Sequence, residues 1–383
     1  MTTDAGATAL ELATGLAQQF AARAGEADRL GQLPAEDVQA LKESGYLSLS
    51  IPAEFGGWGG SLRQCLLAQL TLAQGSASTA IVAGMPLHIF GSAREDNPWT
   101  DAAYEQLCWL VTREQALINS VASEPQLGSP SRGGLPATIA ERIDVGWRVN
   151  GHKTWTTGGR HLTHLLVQVA VGGERGVLLV EQDRPGLEWV ETWRDALSLR
   201  ASDSHDLYFH NVVVPAEHLI SRPAESAPPP NGWFPMVMSA VYLGAAIAAR
   251  NAVIQFALER VPTALGRPIA TLPKIQRQIG EIDVALQAAQ AFLLEVAGQW
   301  PGDAAHRRQV YPRIAAVKTY INDVTAHVTE QALRIAGGAS LTRDLPLERH
   351  FRDVRAGSMQ PPAGDTALEI IGQAAIEQRR SLS

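Results

Sequence analysis

The feature that most constrains this chain is a double change of hydrophobic period. Up to about residue 119 the apolar residues recur at helical spacing. From Ser120 to about Val214 they fall into short runs rich in β-branched and aromatic residues. After Pro228-Pro-Pro-Asn-Gly the helical spacing returns. A period near 3.6 gives a helix one apolar stripe, and a period of two gives a strand one apolar face. The order therefore predicts an α+β chain in three units: an N-terminal helical domain over 1–119, a small antiparallel sheet or barrel over 120–222, and a C-terminal four-helix bundle over 223–383. A chain of 383 residues is long enough to bury a core in each.

Ala9 to Glu26 is rich in Ala, Leu, Gln and Glu, which favour helix. Pro34-Ala-Glu-Asp opens a second helix with acids in its first turn, and Val38 and Leu41 follow at helical spacing before Gly45. The glycine-rich Phe55-Gly-Gly-Trp-Gly-Gly precedes a helical run from Leu62 to Leu72. Later, Ile275, Ile279, Ile282, Leu286, Ala289, Leu293 and Val296 form one stripe, and Ile314, Val317, Ile321, Val324 and Val328 another. Such seams suit an antiparallel bundle. In the middle, Asn150-Gly151 predicts a hairpin turn, because both residues tolerate positive φ. Leu165 to Val171, Gly176 to Glu181 and Asp206 to Val214 read as further strands.

A formal charge of −7 argues against a nucleic-acid partner. Met1 to Gly6 has no basic stretch before an apolar run, and Arg250 interrupts the apolar Leu243 to Val253. Neither a secretion signal nor a membrane span is expected, so the expected location is the cytoplasm. Cys65 and Cys108 stand in unrelated segments without metal-ligand spacing, so free thiols and no metal site are expected.

Five strings carry more specific information. Ile51-Pro-Ala-Glu-Phe-Gly-Gly-Trp-Gly, Ser123-Glu-Pro-Gln-Leu-Gly-Ser, Asn150-Gly-His-Lys-Thr-Trp-Thr-Thr-Gly, Ile335-Ala-Gly-Gly and Pro346-Leu-Glu-Arg-His-Phe-Arg-Asp-Val-Arg occur in that order. Together they resemble the signature segments of the acyl-CoA dehydrogenase superfamily, from about Glu11 to Ile376. The resemblance implies a flavoprotein holding FAD (FMN is possible), usually a homotetramer or dimer, that acts on an acyl-CoA or similar small molecule. Its electron partner would be an electron-transfer flavoprotein or a flavin reductase.

The resemblance also implies site residues. Lys153, Trp155 and Thr157 would share one face of a strand, with Trp155 stacking on the flavin ring and Thr157 bonding its edge. A core Trp and a satisfied strand Thr are the competing reading. Ser120 and Ser123 would lie on the other strand that meets the flavin. Ser129 would approach the cofactor diphosphate or the CoA arm, and an ordinary turn-forming Ser competes at each position. Gly337 and Gly338 would let backbone approach the cofactor of a neighbouring subunit, or form a plain helix cap. Arg334, with Arg260 and Arg267 as alternatives, would replace a diphosphate-binding Arg of the family, whose place here is taken by Pro262.

The chain departs from the family where the catalytic base is expected. Many members carry a Glu in Tyr-Glu-Gly-Thr shortly after Arg-Asp-x-Arg. Here the segment is Gln360-Pro-Pro-Ala-Gly-Asp, which puts Ala363 at the base when Gly364 is aligned to that Gly. Asp365 is the nearest acid, and would otherwise cap the helix Thr366 to Ala374. His88 stands on a helix expected to face the cleft, and dibenzothiophene monooxygenase-type relatives are similar in having a His thereabouts; a buried structural His is the other reading. The leading expectation is α,β-dehydrogenation of an acyl thioester. The alternatives are a two-component flavin-dependent monooxygenase on the same fold, or a flavin-binding scaffold without turnover.

Overall fold

A computed structural model of the chain describes residues 2–127, 134–221 and 230–381, with side chains from residue 8 onward. Five helices come first: α1 (Thr2–Leu30), α2 (Ala35–Glu43), α3 (Leu62–Gly75), α4 (Ala77–Asp96) and α5 (Asp101–Glu114). Their starts are capped as their sequences dictate. Ser61 and Gln64 form a reciprocal capping box on α3, Ser76 accepts from the Thr79 amide on α4, and Thr100 accepts from the Ala103 amide on α5. The buried stripe of α1, Ala9, Ala13, Leu16, Phe20, Ala24 and Ala27, keeps helical spacing and faces α3.

Seven strands follow: β1 (Ile118–Val121), β2 (Ile139–Ile143), β3 (Gly146–Thr156), β4 (His164–Val171), β5 (Glu174–Glu181), β6 (Leu187–Val190) and β7 (His205–Val214). They form one sheet in the order β1-β4-β2-β3-β7-β6, with β5 paired to β4. The hairpins β2–β3, β4–β5 and β6–β7 and the pair β3–β7 are antiparallel, but β1 and β2 both run parallel to β4. The sheet is mixed because β1 enters directly from the helical domain and reaches β4 without a hairpin.

Asn150-Gly151 is not a hairpin turn. It lies inside β3, and the β2–β3 turn falls at Asp144-Val145. Both residues have other work there. A Cβ on Gly151 would lie 2.6 Å from Thr138 Cα, so glycine permits close passage of the neighbouring strand. Asn150 Oδ1 accepts the Asn211 amide at 2.8 Å, and Asn211 has φ 53° in a bulge of β7.

The C-terminal bundle comprises α6 (Trp233–Glu259), α7 (Pro273–Gln299), α8 (Ala304–Ala336) and α10 (Gly364–Arg380), with the short α9 (Leu347–Asp353) before the last. The stripes expected on α7 and α8 are buried, except that Ile279 is only partly so. Helix α6 sits at the centre, against α3, α4, α7 and α8. Among the described residues it is the one helix long and apolar enough to cross a membrane, and 78% of its apolar window is buried inside the protein. Arg250 does not end it; the helix begins at Trp233, upstream of the interrupted run, and its apolar length comes from there.

Candidate functional site

The family-like motifs lie where the sheet, α4 and the bundle pack together. Glu124 and Lys153, one from each of two motifs, form a buried ion pair at 2.7 Å. Glu124 also accepts from the Ala137 amide at 2.6 Å, the Thr138 amide at 3.0 Å and the Thr138 hydroxyl at 2.7 Å. Burial works against the charge on Glu124, but these hydrogen bonds and the Lys153 ammonium hold its carboxyl below the usual range. Lys153 is 0% exposed and also donates to the Gln168 carbonyl at 2.6 Å. Burial lowers its pKa, against the pull of Glu124.

Two residues further on, alternation fails. Lys153 pairs with Leu207 and Thr156 with His205, so β3 carries one extra residue between them. The bulge gives Trp155 a φ of 57° and turns its indole outward, 60% exposed, while Lys153 points into the core and Thr157 is buried. Lys153, Trp155 and Thr157 therefore do not share a face. The bulge is the physical reason: an inserted residue inverts the direction of every later side chain.

Around Trp155 the expected partners converge in part. The Thr154 amide donates to the Ser123 carbonyl at 2.9 Å, and the Asn119 side chain donates to the Thr157 carbonyl at 2.9 Å. These bonds lay the end of β1, with Ser120, and Ser123 just beyond it, beside the end of β3. The Thr157 hydroxyl shares a hydrogen bond with the Ser204 hydroxyl at 2.9 Å, and Ser204 with Ser202 at 2.8 Å. The buried Thr156 hydroxyl has no hydrogen-bond partner. Ser129 lies outside the described residues.

Helix α4 packs against β1 and α6. A Cβ on Gly158 would lie 3.7 Å from Val82, and a Cβ on Gly84 would lie 3.0 Å from Val237 of α6. His88 follows further along α4, 8% exposed, edge-on to Phe234 at 5.0 Å. Its Nδ1 has no partner, and burial pushes its pKa down to about 3, so the imidazole is neutral near pH 7. The ring is held by burial and by its edge contact with Phe234, with no hydrogen bond to Nδ1.

The end of α9 and the segment between α9 and α10 are tied to the bundle and to the loop before β7. Asp353 accepts the Leu199 amide at 2.8 Å, its carbonyl accepts the Ser198 hydroxyl at 2.7 Å, and Arg352 grips Asp28 of α1 through two nitrogens at 2.6 and 3.0 Å. The Arg-Asp motif is thus a tie between bundle, sheet and α1. The following loop, Gln360 to Ala363, presents no acid. Ala363, not Asp365, is the N-cap of α10; Asp365 lies in its first turn, exposed.

Two further expectations lie elsewhere. Arg334 is exposed at the end of α8 and paired with Glu330 one turn before it. Gly337 (φ 60°) and Gly338 are exposed, and a Cβ at either would meet open space, so neither closely approaches another part of the chain. Lys318 carried no motif in the sequence, yet it reaches the loop before α10: its Nζ donates to the Gln360 and Pro362 carbonyls at 2.7 and 2.8 Å. Its signal was positional, since it falls four residues after Ile314 and three before Ile321, inside an apolar stripe.

Comparison with known proteins gives a consistent picture. Residues 7–97, 120–212 and 236–360 match the family descriptions "Acyl-CoA dehydrogenase, N-terminal domain", "middle domain" and "C-terminal domain". The chain is 38% identical over 365 residues to a putative acyl-CoA dehydrogenase, YdbM, of Bacillus subtilis, covering 94% of this chain and 95% of that one. It is 28% identical over 396 residues to an L-evernosamine nitrososynthase of Micromonospora sp., covering 97% and 91%. TdsC from Paenibacillus sp. A11-2, solved with FMN and indole, shares the fold at a TM-score of 0.86 and 24% identity, covering 97% of both chains.

Proposed function

The chain belongs to the acyl-CoA dehydrogenase family, and from that premise we propose that it is a flavin-dependent oxidoreductase working as a two-component monooxygenase on a small molecule. One observation carries the choice of reaction. Each buried carboxylate among the described residues is already engaged: Asp28 by Arg352, Asp37 by Arg23 and Thr79, Glu124 by Lys153 and Thr138, Asp203 by the Leu33 amide, and Asp353 by the Leu199 amide. Removal of a proton beside a thioester needs a carboxylate free to take it. Oxygen transfer needs no such base.

The residues fit a flavin. An indole left 60% exposed on a positive-φ backbone, beside a buried hydroxyl with no partner, is poised for a flat ring with polar edges. Trp155 would take the ring face; the hydroxyls of Thr157 and Ser120 and the segment at Ser123 would take its edge. A bound flavin would supply two-electron chemistry, with electrons from a separate reductase. His88, held neutral, would offer a hydrogen bond and no charge to the substrate, while Phe234 closes the apolar side. The FMN in TdsC supports a flavin of either type here. Arg334, Gly337 and Gly338 would serve the cofactor of a second subunit in a homo-oligomer.

A second reading keeps one support. Asp365 is an exposed acid two residues beyond Ala363 with no hydrogen-bond or ion-pair partner, and thioester dehydrogenation through it is the alternative. Anaerobic addition of acyl-CoAs of graded chain length to flavin-loaded protein separates the two. The expected result is unchanged flavin absorbance throughout. Bleaching by any chain length, lost in Asp365→Asn, would establish the dehydrogenase instead. Incorporation of oxygen-18 from labelled O₂ into an amine or aromatic heterocycle, with a reductase present, is the positive expectation.

A further inference from the structure

We propose that Lys318 is the positioning residue of the loop Gln360 to Ala363, fixing how that loop is presented to the site. The proposal rests on the reading of this loop as part of the site. Lys318 is 4% exposed on α8, and its ammonium holds two loop carbonyls at once, those of Gln360 and Pro362. Pro361 and Pro362 have no amide hydrogen, so the loop cannot tie itself down through its own donors there. Its carbonyls are the available handles, and one –NH₃⁺ reaches both.

The arrangement is unusual as packing. No carboxylate lies within ion-pair distance of Lys318 among the described residues, and burial lowers its pKa to about 8. An apolar side chain at this place in the stripe would fill the volume without burying a charge. The platform beneath the loop is also incompletely satisfied. Asn322 Oδ1, one turn along α8 from Lys318, is buried without a hydrogen-bond partner, and the buried Tyr242 hydroxyl on α6 (1% exposed) interacts with the Gln360 side chain of the loop. Asn322 Nδ2 donates to the Gly357 carbonyl at 3.2 Å, and a Cβ on Gly357 would lie 2.9 Å from the Tyr242 ring. Stability alone is better served by apolar packing than by a buried ammonium on a polar platform. Lys318, Asn322 and Tyr242 together form a polar seat whose effect is to place the loop.

Hydrogen exchange on the full chain, with no substrate added, reads the seat directly. Lys318→Met is expected to speed exchange in 357–367 about tenfold or more while α7 stays protected. Lys318→Gln, which keeps two N–H donors on a shorter stem, is expected to recover part of the protection. Reoxidation by oxygen of the chemically reduced, flavin-loaded variants should change in rate, with flavin affinity within about twofold of the parent. Unaltered exchange in 357–367 would overturn the anchoring. Loss of protection throughout, together with flavin release, would make Lys318 a general stability residue and overturn the proposal too. A loosened loop with unaltered reoxidation would remove the loop from the site, and the positioning role with it. Bleaching by acyl-CoA, which overturns the oxygenation reading, has no bearing on the exchange result, so the two fail separately.

Discussion

Glu124 and Lys153 are held by opposite needs, since neither charge is tolerable in the core without the other. Lys153→Met leaves the Glu124 carboxylate buried without its ammonium and is expected to cost about 3–5 kcal/mol in denaturant unfolding, while Lys153→Met with Glu124→Gln recovers part of that loss. His88 and His350 make a different prediction. Burial pushes both down to about 3, with a smaller push on His350 from Arg349. An unfolded His titrates near 6.5, so each contributes stability that is fully present above pH 6.5 and lost as pH falls toward 3. Unfolding free energy measured between pH 6.5 and 4 should fall with pH, and His350→Phe should flatten the fall.

At the scale of elements, glycine sets the helix crossings. A Cβ on Gly75 of α3 would collide with the Ala17 carbonyl of α1, and a Cβ on Gly244 of α6 would lie 2.7 Å from Ala73 of α3 and collide with the Leu70 carbonyl. Gly75→Ala is expected to destabilise by about 1–3 kcal/mol, because backbone and not a movable side chain meets the new methyl; thermal unfolding tests it. The helices were legible because one apolar stripe per helix is a local signal, and Ile314 to Val328 is buried as its spacing implies. The sheet was less so. Asn150-Gly151 has the composition of a turn, but the close pass of Thr138 and the bulge at Asn211 are non-local demands that the same two residues meet. The bulge at Trp155 had no local sign either, so alternation misplaced Lys153. The motif strings marked the segments that fold against one another, Glu124 with Lys153 among them, whereas Lys318 came to notice only through the carbonyls it meets.

Across the whole molecule, Arg352 and Asp353 join three parts that are distant in sequence: Asp28 of α1, the loop at Ser198 and Leu199, and α9. Arg352→Met should cost about 3–5 kcal/mol and broaden the unfolding transition, because the N-terminal helices lose their charged link to the bundle; calorimetry would show it, and a shift without broadening would count against the link. The flavin reading belongs at this scale as well. Trp155→Ala should lower affinity for FMN or FAD about tenfold or more by fluorescence titration, with the unfolding temperature of the flavin-free protein unchanged. The same tie has an evolutionary consequence. Six residues separate Asp353 of the clamp, where substitution undoes the architecture, from Gln360, where the loop to α10 begins and which the clamp does not itself specify. Selection can therefore vary the loop to α10 almost independently of the tie that holds the fold together.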